Sequence, residues 1–130
     1  MAMRALVAAD TALPAAKAFD STLAAVGGNV DARGGGFGGG GGVAPAPTFV
    51  RVNGSLGSQL NTLENGDLAP TEAMQRAYVA GCQDLQRVVT TWAGINGAPL
   101  ATFNAVLTQN NLKPIPAAAA TLVAPPCPQS

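Results

Sequence analysis

The chain has 130 residues, and its seven basic and seven acidic side chains cancel to a formal net charge of zero. A neutral chain has no overall electrostatic attraction for nucleic acid or for an anionic membrane surface. It also contains no histidine, which removes the commonest general base and the commonest transition-metal ligand. We therefore expect no catalytic residue, no metal ion, no cofactor and no nucleic-acid partner.

The first predicted helix covers residues 3–26. Proline is not tolerated inside a helix, so Pro14 must be explained. If Asp10 is the N-cap, Pro14 falls in the first turn, where its missing amide has no cost. We favour this start near Thr11 over a longer helix kinked at Pro14. The apolar residues at helical spacing are Leu6, Ala9, Leu13, Ala16, Phe19, Leu23 and Val26.

Residues 27–47 are rich in glycine, with eight glycines and Phe37 between Gly34 and Gly42. A phosphate-binding loop would need a strand before it, a helix directly after it and usually a Lys-Ser or Lys-Thr pair. The sequence has none of these features. We interpret the segment as a flexible linker between two helices.

The second predicted helix runs from Thr48 to Leu63. Its apolar face comprises Phe49, Val52, Leu56, Leu60 and Leu63. The pair Asn53-Gly54 after β-branched residues also allows a β-hairpin, which we consider less favourable because the 3.6-residue period continues beyond it. Gly54 and Gly57 are expected to permit the close approach of a neighbouring helix.

The third predicted helix, from Thr71 to Ile95, has the clearest pattern in the chain. Thr71 is expected to cap its first turn, where Glu72 meets the positive end of the helix dipole. Tyr78 and Trp92 lie in its apolar stripe, and we assign both rings to the core rather than to an aromatic ligand site. Just before this helix, Glu64 and Asp67 are interpreted as a solvated turn rather than a weak cation site. The whole stripe is Met74, Tyr78, Cys82, Leu85, Val88 or Val89, Trp92 and Ile95.

A short fourth helix is predicted to begin at Pro99 and to end at Asn110-Asn111, with Leu100, Phe103 and Leu107 on one face. The sequence therefore predicts an all-α, antiparallel four-helix bundle over residues 1–116. Residues 117–130, rich in alanine and proline, are expected to form an extended tail. The apolar run at residues 5–9 is too short for a signal peptide, and the charge-free residues 88–112 are too polar to span a membrane.

Several of these segments together resemble a known family. They are the segment from Val52 to Leu56, the junction Asp67-Leu68-Ala69-Pro70-Thr71, Trp92, Phe103-Asn104 and the segment from Leu112 to Ile115. Over about residues 10 to 116 the chain is similar to the helical module that follows the β-propeller in bacterial sortilin-like proteins with BNR (Asp-box) repeats, often labelled glycosyl hydrolases. The chain has none of the repeated propeller motifs.

The resemblance implies an exported, extracytoplasmic protein and carries no hydrolase residue over to this chain. In such a setting Cys82 and Cys127 would form a disulfide, and the alternative is a buried Cys82 with an unrelated tail thiol. We expect a structural or interaction module whose partner is a propeller domain, a larger complex or another copy. A small ligand-binding bundle is the alternative, and a glycoside hydrolase is a weaker one. The aromatic residues expected in a core or an interface are Phe49, Tyr78, Trp92 and Phe103.

Overall fold

The computed structural model describes residues 3–4, 14–28, 46–66, 69–118 and 121–129. Within those ranges the regular structure is all helical, with no strand, which confirms the predicted fold class. The predicted N-cap Asp10, most of the glycine-rich linker with Phe37, and Asp67 of the predicted turn lie outside the described residues.

Four helices have defined bounds in the described part of the chain: α1 (Pro14–Gly27), α2 (Phe49–Asn65), α3 (Glu72–Ile95) and α4 (Ala98–Gln109). Met3 and Arg4 are also helical. Pro14 is the first residue of α1, the position at which proline costs least. The β-hairpin alternative at Asn53-Gly54 is wrong, because α2 continues through both residues.

Side-chain caps fix the starts of α2 and α3, and the one at Thr71 was predicted from the sequence. The Thr48 hydroxyl accepts a hydrogen bond from the amide of Arg51, and the Thr71 hydroxyl accepts one from the amide of Met74, each at 3.2 Å. Each cap satisfies an amide that has no partner within its own helix.

The end of α4 redirects the chain. Asn111 adopts a left-handed φ of 57°, which asparagine tolerates better than most residues. The Leu112 amide donates to the Leu107 carbonyl at 2.8 Å, and the Asn111 amide donates to the Thr108 carbonyl at 3.1 Å. These two bonds form a Schellman motif, which ends the helix and starts the tail.

One hydrophobic core joins all the helices. α1 and α3 each contact the other three helices, whereas α2 packs on α3 and α1. The rings of Phe19 and Phe103 stack at its centre, with 4.7 Å between their centroids. Ile115, from the tail, is also buried. The buried cluster consists of Ala16, Phe19, Leu23, Val26, Val52, Val88, Ile95, Leu100, Phe103, Leu107 and Ile115.

The close approach between α2 and α3 occurs at a glycine that the sequence analysis did not select. A Cβ added to Gly81 would lie 2.9 Å from the Leu56 Cδ2 atom. Among the described residues, nothing lies within 4 Å of a Cβ added to Gly54 or Gly57. The predicted role of Gly54 and Gly57 is therefore wrong within this chain.

Candidate interaction site

The helices differ in length, and this leaves part of the longest one uncovered. α3 has 24 residues, against 14 in α1 and 12 in α4. At 1.5 Å per residue these are about 36, 21 and 18 Å long. The buried residues of α3 all lie between Gly81 and Ile95, and none lies in its first turns. Those first turns and the C-terminal half of α2 form what we call the distal hairpin.

An apolar groove runs along the distal hairpin, and we call it the hairpin groove. Its volume is about 820 Å³. Leu60 is 57% exposed, Leu63 38% and Tyr78 49%, so the apolar stripes of both helices continue onto an open surface. The groove is lined mainly by apolar side chains, which include Leu56, Leu60, Leu63, Pro70, Met74, Tyr78, Val79 and Pro128.

Polar groups border the hairpin groove. Glu72 and Arg76 form an exposed ion pair one helical turn apart, with 3.1 Å between Oε1 and a guanidinium nitrogen. The Gln59 side-chain amide donates to the Ala77 carbonyl at 3.4 Å and so links α2 to α3. An apolar floor with a polar border is the arrangement that helix-binding and ligand-binding grooves share.

We call residues 112–118 and 121–129 the tail, which thus begins five residues before the predicted tail at residue 117. The tail is held against the helices at four places. The Asn104 side chain donates to the Ile115 carbonyl at 2.7 Å and accepts from the Ile115 amide at 2.8 Å. Asn96 accepts from the Ala118 amide at 3.1 Å. Gln86 donates to the Pro125 carbonyl at 3.2 Å. As the tail proceeds from Ile115 to Cys127, its partners have decreasing residue numbers, from Asn104 to Cys82. The tail therefore runs back along α3 towards the N-terminus of that helix.

A disulfide between Cys82 and Cys127 is the fourth attachment of the tail, and it closes a loop of 45 residues. Cys82 is 3% exposed and belongs to α3, directly after Gly81. The bond places the next residues, Pro128 and Gln129, in the wall of the hairpin groove. The disulfide therefore connects the path of the tail to the shape of the groove.

The structure separates the four predicted aromatic residues into different environments. Phe103 is buried, while Phe49 and Trp92 are partly buried and pack against the core. Tyr78 is 49% exposed, so its assignment to the core is wrong. Tyr78 precedes Gly81, the first buried residue of α3.

Asn104, Asn96 and Gln86 hold the tail, a role that was not predicted for any of them from the sequence. The sequence does show one sign of the contact between Asn104 and Ile115, which has two hydrogen bonds. This sign is a polar residue at position 104, between the apolar positions Phe103 and Leu107. The other two residues look like ordinary surface residues in the sequence. Their partners are 22 and 39 residues away, a distance over which no local pattern operates.

The shortest described ion pair joins two residues that do not line the groove. Arg4 contacts both carboxylate oxygens of Asp20, at 2.8 and 3.1 Å. The hydrogen bonds from Arg4 and its positive charge hold the pKa of Asp20 below its usual value, against a smaller opposing effect of burial. This pair attaches the helical residues Met3 and Arg4 to α1.

The described residues contain no cluster of three or more cysteine, aspartate or glutamate side chains that could hold a metal ion. No helix in this part of the chain is both long and apolar enough to cross a membrane. Comparisons of the chain with protein-family models, with curated proteins and with solved structures find no match. The hairpin groove is therefore the candidate functional site of the described residues.

Proposed function

We propose that this chain is a non-catalytic structural module that assembles with other helices through the distal hairpin. The observation that carries the proposal is the hairpin groove, where Leu60, Leu63 and Tyr78 leave large apolar surfaces open. Exposed apolar surface of this kind commonly marks a protein interface. The proposal includes the finer architecture, an antiparallel four-helix bundle with the glycine-rich residues 27–47 as a linker.

The occupant that fits the hairpin groove is a pair of amphipathic helices. Besides α2, two further helices, α1 and α4, pack against α3. The apolar stripe of α3 continues into the groove, so the distal half offers a similar surface to further helices. A second copy of this chain supplies a suitable pair in its own distal hairpin. Two distal hairpins placed face to face would form a four-helix bundle.

The charge of the chain supports self-association. With a formal net charge of zero, two copies have no overall electrostatic repulsion to overcome. Within the distal hairpin, Glu72 and Arg76 already neutralise each other at the groove border. In a symmetric dimer the apolar stripes of the two copies would be in contact. Few like charges would then face each other across the interface.

The proposal agrees with the family resemblance, which implies an accessory helical module of an exported protein. It requires no hydrolase activity, and the chain has no histidine to act as a general base. In an exported protein the partner would be a propeller domain, another subunit or a further copy. Of these partners, the second copy is the one that the groove and the neutral charge favour.

A small-molecule site is the second candidate function, and it rests on the size of the groove. A volume of about 820 Å³ lies within the usual range of ligand pockets, roughly 300–1,000 Å³. A rise in the melting temperature with an apolar aromatic compound, for the chain held monomeric by dilution, would favour this function over assembly.

The experiment that tests assembly compares two variants with the wild type. Leu60→Asp combined with Leu63→Asp should abolish the dimer, because burying two carboxylates in an apolar interface is costly. Val123→Asp is the matched control, since Val123 is 83% exposed on the tail outside the groove. The control should remain dimeric in analytical ultracentrifugation. Equal masses for the double variant and the wild type would exclude the groove as the interface.

A further inference from the structure

The tail forms part of the groove wall, although it lies about 50 residues after the last of the helical residues that form the rest of the groove. Pro128 and Gln129 line the hairpin groove together with Leu60, Leu63 and Tyr78. These two tail residues directly follow Cys127, whose bond to Cys82 fixes the tail to α3. The nearest preceding attachment in the described part of the tail is the exposed hydrogen bond from Gln86 to Pro125.

The attachments of the tail differ in strength. Near its start, Ile115 is buried in the core and paired twice with Asn104, so this part belongs to the fold. Farther along, Leu122 and Val123 are 49% and 83% exposed. An exposed hydrogen bond such as that of Gln86 contributes little against the freedom that the chain gains on release. The disulfide is therefore the attachment that holds residues 125–129 in place.

We propose that the Cys82–Cys127 disulfide is a redox switch for the hairpin groove: when it is oxidised, Pro128 and Gln129 complete the groove wall, and when it is reduced, this wall is released. This inference rests on the proposed function, because it describes the regulation of the same site. The residues of the buried core cluster lie in the helices and at Ile115, outside the segment 125–129 that the switch would release.

The chemistry of the switch balances with an external dithiol as the reductant. A thiolate of the dithiol attacks one sulfur of the Cys82–Cys127 bond and forms a mixed disulfide. Its second thiol then displaces the remaining cysteine. The dithiol is oxidised to a cyclic disulfide, and Cys82 and Cys127 each gain one electron and one proton to become thiols. Cys127 is the accessible end of the bond, because Cys82 is 3% exposed.

The test uses dithiothreitol as the dithiol and two readouts. The first is the nuclear magnetic resonance spectrum of the Tyr78 ring, which is the only tyrosine ring in the chain. The second is the dissociation constant of the dimer. On reduction, and equally in Cys127→Ser, we expect the Tyr78 signals to move and the dissociation constant to rise about tenfold as the interface loses part of its wall.

A second variant tests the wall while the bond stays intact. Pro128→Gly combined with Gln129→Gly keeps both cysteines and removes the two side chains from the groove. We expect this variant to bind its partner copy as weakly as the reduced wild type, and to respond little to dithiothreitol. Val123→Gly is the matched control on the tail, and it should retain the full redox response of the wild type.

The outcomes separate this inference from the proposed function. Tyr78 signals that move on reduction in a chain that never dimerises would support the switch and contradict assembly. Tyr78 signals that stay the same on reduction would overturn the switch, whether or not the chain dimerises. Loss of the helical circular dichroism signal on reduction would also overturn it, because the bond would then be required for the fold.

Discussion

At the scale of single residues, the aromatic side chains report where the core ends. Phe103 is buried and stacked on Phe19, Trp92 is partly buried against the core, and Tyr78 is 49% exposed. These differences follow from the position of each residue along helices of unequal length. The three rings therefore provide a graded test of the packing.

Alanine substitutions should rank the three rings in that order. We expect Phe103→Ala to lower the free energy of unfolding by about 3–5 kcal/mol and Trp92→Ala by about 2–3 kcal/mol. Tyr78→Ala should change it by less than about 0.5 kcal/mol, since the substitution leaves no cavity. Denaturant unfolding of dilute, monomeric protein measures all three. A loss for Tyr78→Ala as large as that for Phe103→Ala would place the Tyr78 ring in the core.

The ion pair between Arg4 and Asp20 predicts a dependence of stability on pH. Because the pKa of Asp20 is lowered in the folded chain, its stabilising effect is present above the unfolded value of about 3.8. The effect is lost as the pH falls through the lower, folded pKa. Asp20→Asn should cost up to about 1 kcal/mol at neutral pH, because the pair is partly exposed, and less near pH 2.

Urea unfolding of the wild type and of Asp20→Asn at the two pH values measures this difference. Asp84→Asn is a suitable control, because it removes the more exposed ion pair with Arg87 and should have little effect at either pH. A cost of Asp20→Asn that is the same at both pH values would show that the Arg4 pair is not its source.

Single residues with local roles could be predicted from the sequence, whereas residues with distant partners could not. The cap at Thr71 was predicted because its partner is an amide only three residues away; the equivalent cap at Thr48 has the same local pattern and was not predicted. Asn104 bonds to Ile115 across the turn at Asn111, and its role depends on how the chain folds back. Tyr78 was assigned wrongly because its exposure depends on which other segments pack against that part of α3.

At the scale of the helices, the close contact between α2 and α3 lies at Gly81 and not at Gly54 or Gly57. The sequence shows glycines at all three positions and does not show which of them faces another helix. The geometry decides this, because a Cβ at Gly81 would meet Leu56 and a Cβ at the other two would meet nothing within 4 Å. The three glycines should therefore respond differently to alanine.

We expect Gly54→Ala and Gly57→Ala each to stabilise the chain by roughly 0.5–1 kcal/mol, because alanine favours a helix and nothing obstructs its methyl group. Gly81→Ala should gain less, or lose stability, since its Cβ would lie 2.9 Å from the Leu56 Cδ2 atom. Thermal unfolding measures all three variants. Destabilisation by Gly54→Ala would mean that another segment packs closely at that position.

Helix positions were predictable because the apolar spacing and the end signals agree within each segment. α3 runs from Glu72 to Ile95. It begins directly after the predicted cap Thr71 and ends at the predicted last residue, Ile95. α2 extends two residues beyond the predicted Leu63, as helix ends commonly do. The alternative hairpin failed because helical spacing of apolar residues outweighed the turn tendency of Asn53-Gly54.

At the scale of the whole molecule, the helical class was predictable and the path of the tail was not. An extended tail over the surface was expected, but its order of contacts from Asn104 to Asn96, Gln86 and Cys82 depends on the assembled helices. The hairpin groove follows from the same assembly, because it combines two helices with Pro128 and Gln129 of the tail. Features built from distant segments need the three-dimensional structure.

The central claim is that the distal hairpin is an assembly surface, and the native mass of the wild-type chain tests it most directly. Light scattering on a sizing column, over a range of protein concentrations and under oxidising conditions, gives this mass. We predict a concentration-dependent approach to about twice the 12.9 kDa of one chain. A mass that stays at that of a single chain at every concentration would contradict the claim.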